Sequence, residues 1–136
     1  ERLKKLADTV GKKRLVIDVS CKKKGDIYYV VTDTWKTWTH YEVSHENFSV
    51  LAKYCDAFLI HGVDAEGKRL GIEKDLLYRI AEFSDISITY AGGIRNMADI
   101  EIIRSIGGER VHFTVGSALD IFGGDIPYAT LAHTFK

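Results

Sequence analysis

Four times along this chain a short apolar run, rich in β-branched residues, gives way within a few residues to an amphipathic helical pattern. The runs are RLVIDVS (14–20), AFLIHGVD (57–64), ISITYA (86–91) and VHFTVG (111–116). The helical patterns are SHENFSVLAKYC (44–55), IEKDLLYRIAEF (72–83) and NMADIEIIRSIG (96–107), with a short helix or two within SALDIFGGDIPYATLAHTF. No other feature constrains the fold as much. Runs of this kind are strands buried on both faces, and their alternation with helices requires a parallel sheet with helical crossovers. The alternation breaks once: IYYVVT (27–32) and WKTWTH (35–40) predict a small β-hairpin inserted after the first strand. Residues 2–9 predict a helical turn or two stopped at Gly11, and Ser44 predicts an N-cap. Lys22 to Lys24 read as a solvated loop, from which one lysine could steer an anionic ligand.

Each run carries its polar or glycine residues at its C-terminal end: Asp18 and Ser20, His61 and Asp64, Gly92 and Gly93, Gly116 and Ser117. In parallel α/β folds that edge collects the loops and helix N-termini that meet ligands. Two architectures satisfy the pattern, a four-stranded flavodoxin-like sheet and half of an eight-stranded (β/α) barrel. The stretch TYAGGIRNMADI narrows the function. Glycine costs conformational entropy in strand and helix alike, so an adjacent pair at a junction serves backbone geometry. VGSALD repeats the arrangement one strand later. Two such junctions on neighbouring strands predict backbone N–H donors for one anionic group, a phosphate above all.

Composition agrees and excludes. The chain has 136 residues, enough for one domain with a core. Nineteen basic residues balance nineteen acidic ones, which argues against nucleic acid as a partner but not against one small anion. Two cysteines, Cys21 and Cys55, are too few for a disulfide framework or a metal knuckle, and a reducing compartment follows. No run is long enough to predict a membrane span. The opening ERLKKLADTVG has no initiator Met and reads as the end of a helix, the expectation for a fragment.

Together, LVIDVSCKKK, WKTWT, FLIHGVDAEGKRLGI, ITYAGGIRNMADI and FTVGSALDIFGG resemble the phosphoribosylformimino-aminoimidazole carboxamide ribotide isomerases of histidine biosynthesis, in their eukaryotic form. The resemblance covers nearly the whole chain. It implies a (β/α)₈ TIM barrel of which residues 1–136 are the C-terminal (β/α)₄ half, a single unit of four repeats with the N-terminal half not present. It further implies an Amadori aldose–ketose rearrangement of a bis-phosphorylated ribotide, without cofactor or metal. Asp18 matches the strand-five aspartate, the general acid; the partner aspartate belongs to strand one. Gly92, Gly93, Gly116 and Ser117 match the C-terminal phosphate site. His61 stands where the family commonly has threonine, Glu66 where it has aspartate, and Trp35 where a tryptophan stacks on substrate. The expected partners are a phosphorylated small molecule and either the N-terminal half-barrel or a second copy, with no nucleic acid and no membrane. The expected setting is the cytoplasm, with the plastid as the alternative.

Simpler readings stand beside these. Asp18 is a solvated strand end, the glycines turn the chain, and His61 is a structural residue. Asp64 and Glu66 belong to a polar loop, and Trp35 and Trp38 are the apolar side of the hairpin. A Cys21–His61 thiol–imidazole pair has nothing in the spacing to recommend it. Two further functions compete with the isomerase: a non-catalytic phosphate-binding half-barrel that self-associates, and the sister cyclase of the pathway. GSALDIFGG and HGVDAEGKRLG favour the isomerase.

Overall fold

A computed structural model describes residues 1–64, 71–83 and 85–135. After helix α1 (Arg2–Val10), strand β1 (Val16–Lys24) leads into β2 (Ile27–Thr32), β3 (Thr37–Glu42) and helix α2 (His45–Leu51). Then β4 (Ala57–Gly62), α3 (Lys74–Ala81), β5 (Ser87–Ala91), α4 (Met97–Gly107), β6 (Val111–Phe113) and α5 (Tyr128–Thr134) follow. One six-stranded sheet has the order β3-β2-β1-β4-β5-β6. The pairs β1/β4, β4/β5 and β5/β6 are parallel, and β1/β2 and β2/β3 are antiparallel. The fold is therefore α/β, with a parallel sheet carried by the four apolar runs.

Among the boundaries that differ from expectation, two bear on the site. Lys22 to Lys24 are not a loop but the end of β1, each paired with a β2 residue, Lys22 with Tyr29 and Lys24 with Ile27. A lysine run has poor strand propensity; cross-strand pairing supplies what the local sequence lacks. Residues 114–116 lie outside β6, whose register with β5 ends at Tyr90 and Phe113.

Alternation sorts the strands into two faces. Val19 and Cys21 of β1, Phe58 and Ile60 of β4, Ile88 and Tyr90 of β5 and Val111 of β6 are buried in one core. Phe48 of α2, Leu76, Leu77 and Ile80 of α3, and Ile100 and Ile103 of α4 join them. All three crossover helices thus pack on one face. The opposite face carries Val16, Asp18, Ser20, Leu59, His61, Thr89 and His112, none of them buried, with Val16 61% exposed. Beside β6, at the edge of the sheet, a groove of about 930 Å³ opens between the strand, α4 and α5.

The β2–β3 turn is strained. Asp33, Thr34 and Trp35 take φ values of 52, 55 and 68°, a left-handed run without glycine. A β-branched residue there costs about 1–2 kcal/mol. Thr34→Gly removes that cost and adds about 0.5–1 kcal/mol of unfolded-state freedom. A net gain of about 0.5–1 kcal/mol in urea unfolding is expected; a net loss would contradict the turn geometry.

Candidate active site at the carboxyl edge of the sheet

Asp18 lies on the open face of β1, its side chain 65% exposed, paired with Leu59 of β4. His61 sits on the same face two residues further along β4, in register with Ser20 on one side and Ala91 on the other. Parallel pairing brings the two side chains together: His61 Nε2 stands 3.3 Å from Asp18 Oδ1. Trp35 reaches the same place from the strained turn, its indole Nε1–H donating to Ser20 Oγ at 3.1 Å. An acid, an imidazole, a hydroxyl and an aromatic ring therefore converge on one face of the sheet, Asp18 and Ser20 from within β1, His61 from the end of β4 and Trp35 from the hairpin.

The glycine pair follows Ala91 at the same edge. Gly92 has φ 118° and Gly93 φ 72°, values that favour glycine. A Cβ on Gly92 would stand 2.8 Å from the carbonyl oxygen of Gly62, so the loop after β5 lies directly on the end of β4. Gly92 is needed for both reasons. Gly92→Ala is expected to cost about 2–3 kcal/mol in urea unfolding, because the blocking atom is backbone and cannot swing away. A variant as stable as the parent would mean that the two strand ends are not in contact. Gly116 and Ser117 are exposed in the loop after β6, the strand beside β5. A Cβ on Gly116 would meet nothing within 4 Å. The next element is a single 3-10 turn, Asp120–Phe122, so any donors at this junction come from the loop backbone rather than from a long helix.

Other residues singled out in the sequence fall elsewhere. Asp64 accepts the backbone N–H of Lys23 at 3.2 Å and so ties the turn after β4 to the end of β1. Cys21 is fully buried on the helix-bearing face, where desolvation pushes its thiol well above the ordinary value, while His61 lies on the other face. The thiol–imidazole pair is absent. Glu66 lies outside the described residues. Among the described residues, no group of three or more His, Cys, Asp or Glu is arranged to hold a metal ion. None of the described helices is long and apolar enough to cross a membrane.

One pair escaped the sequence reading. Asp99, 2% exposed, accepts Arg95 Nε–H and Nη2–H and the Arg95 backbone N–H, each at 2.9 Å. Its own N–H donates to the N-cap Asn96. These Arg95 hydrogen bonds hold the Asp99 carboxyl below its ordinary value, against the desolvation that would raise it. The guanidinium also covers Gly71, where a Cβ would stand 2.9 Å from Arg95 Cζ. Arg95 thereby joins the start of α4, next to the glycine pair, to the loop before α3. The available signal was a basic residue two positions after the glycine pair with an acid four positions on.

The sequence is similar to those of known proteins. The family model described as "Histidine biosynthesis protein" matches residues 1–126. The Medicago truncatula protein named 1-(5-phosphoribosyl)-5-((5-phosphoribosylamino)methylideneamino) imidazole-4-carboxamide isomerase HISN3, chloroplastic, is 49% identical over 128 residues, covering 94% of this chain and 41% of its own length. The isomerases of the same name from Neurospora crassa and Saccharomyces cerevisiae are 46% and 37% identical over 83% and 93% of this chain, and 44% and 50% of their own lengths. The chain thus spans about half, or somewhat less, of the curated relatives it matches. With the family model matching residues 1–126 and three isomerases this similar, the chain belongs to the histidine biosynthesis protein family.

Proposed function

We propose that this chain is the C-terminal (β/α)₄ half of a (β/α)₈ barrel and supplies the general acid of an Amadori isomerase acting on a bis-phosphorylated aminoimidazole carboxamide ribotide. The observation that carries the reading is the strand order. β1, β4, β5 and β6 follow one another without reversal, and their helices share one face. A doubly wound flavodoxin-like sheet reverses its order and covers both faces; only a sheet that closes on itself covers the second face with its own curvature. Asp18, Ser20 and His61 would then face the barrel interior at its carboxyl end, where catalytic groups of such barrels sit. The β2–β3 hairpin is an insertion after the fifth barrel strand that places Trp35 over that mouth. The free edge of β6, with its apolar groove, is where the first strand of the other half would add.

Asp18, protonated, gives its proton to the ribose ring oxygen as the bond from carbon one to that oxygen breaks. The amino nitrogen supplies the electrons, leaving an iminium. A base from the other half then removes the proton from carbon two, and the resulting enolamine tautomerises to the aminoketose. His61 orients the Asp18 carboxyl and steadies it after proton transfer. Gly92, Gly93, Gly116 and Ser117 hold one phosphate through backbone N–H donors and the hydroxyl, and Trp35 stacks on the planar part of the ligand. Glu66 is assigned to the substrate rim by the family resemblance. The reaction uses no cofactor, and its setting is the cytosol or the plastid.

A second reading is favoured by the uncovered face. A sheet with one bare face and a free edge associates, and a second copy could close an isologous pair with two Asp18 residues at one mouth. Such a pair binds phosphate and turns nothing over. Native mass spectrometry, followed by an isomerisation assay with and without the N-terminal half, separates the two. A complex of this chain with that half that isomerises supports the first reading. A homodimer that binds phosphate and stays inert when the half is added rejects it.

A further inference from the structure

We infer that Lys22, Lys24 and Trp38 form an anion-docking site that receives the phosphoryl group of a small phosphate ester on its way to Asp18. This rests on the proposed isomerase reading and extends it to how the substrate arrives. The three lysines that close β1 alternate in direction. Lys23 turns to the helix side and is neutralised by Asp75 at 2.5 Å. Lys22 and Lys24 share the other side with Asp18 and Ser20, and no ion pair among the described residues involves either. Instead both ammonium groups rest over the Trp38 ring, at 5.6 and 5.9 Å from its centroid. Tyr29 braces the indole edge-on, with ring centroids 6.5 Å apart.

A hollow of about 380 Å³ opens at this point, lined by Lys24, Gly25, Tyr29, Trp38, Thr39 and His40. No carboxylate lines it. Trp38 stays 41% exposed although it is held on several sides. Two ammonium groups spread over a ring that holds them by its quadrupole, yet offers no counter-charge, leave an uncompensated positive field. Along β1 that field runs in steps of two residues from Lys24 to Lys22, Ser20 and Asp18, a path on one face towards the catalytic mouth. In a chain of zero net charge, such a local patch is what draws in an anion from solution.

The test is a titration of the 136-residue chain with inorganic phosphate, at constant ionic strength held with chloride, read by ¹⁵N NMR. The Trp38 indole resonance, assigned with Trp38→Phe, and the backbone amides of residues 38–40 are expected to shift and saturate. In the Lys22→Gln/Lys24→Gln variant the apparent affinity is expected to fall about tenfold. Should that variant lose its dispersed spectrum, Lys24→Gln alone is read the same way. Shifts confined to Gly92, Gly93, Gly116 and Ser117 would overturn the docking site and leave the isomerase reading in place. Shifts at Trp38 with silent glycines would support the docking site and count against that reading. Equal shifts in chloride alone would reduce the effect to ionic screening and overturn the inference.

Discussion

Asp18→Asn, introduced into the complete barrel, is expected to lower turnover by about 10²–10⁴-fold, the range that one positioned general acid supplies. The asparagine keeps shape and hydrogen bonding but has no proton of suitable acidity to give to the ring oxygen. Product affinity is expected to change little, because the proposed reading has the phosphate held at the loops after β5 and β6, away from Asp18. The contrast between kcat and product affinity is the informative readout. Turnover equal to that of the parent would remove Asp18 from the chemistry. His61→Asn offers a check on the geometry behind the assignment. With Nε2 only 3.3 Å from the Asp18 carboxyl, its loss should weaken turnover less than the loss of the acid itself.

Arg95→Ala is expected to destabilise the fold. Asp99 is buried, and its carboxylate takes three hydrogen bonds from Arg95, two of them from the guanidinium. Removing one partner of a fully buried pair costs roughly 3–5 kcal/mol. The arginine side chain is 46% exposed, so water screens part of the attraction and the loss falls below that range. For a domain of this size that lowers Tm by up to roughly 10 °C. The pH dependence has a definite sign. Because the folded-state carboxyl of Asp99 titrates below its ordinary value, its contribution is complete above that ordinary value and disappears as pH falls through the depressed one. The gap between parent and variant should therefore begin to close below about pH 4 and keep shrinking as pH falls through the depressed value. A gap that stays constant down to pH 2 would show that the pair is not the source of the loss.

Several of these residues could be read from the chain before any coordinates. The apolar runs and helical periods are local signals, so the four strand–helix units and the class of sheet were visible from spacing alone. Asp18 was visible because it interrupts an apolar strand, and Gly92 because a glycine pair sits where a strand must hand over to a helix. The Ser44 cap was legible for the same reason, and its Oγ accepts the Asn47 N–H. Lys22 to Lys24 were not legible as strand, since their conformation comes from β2 across the ladder. Arg95 and Asp99 look like an ordinary solvated pair four residues apart. The burial of Asp99 depends on how α4 seats against the core, and Arg95, itself exposed, lies over Gly71 of a distant loop.

The order of the elements, the turn chemistry at their ends and the inventory of reactive groups are legible in the chain, because each depends on neighbours a few residues away. Which groups share a face is settled by packing across the sheet. Parallel register sets His61 against Ser20 and within reach of Asp18, and it sends Cys21 to the opposite side. The hairpin swings Trp35 back across 15 residues onto Ser20. A shift of one residue in pairing would exchange the two faces of a strand and disperse the site. That register is set by burial of one apolar face against the helices, a property of the whole packed layer and of no single stretch of chain.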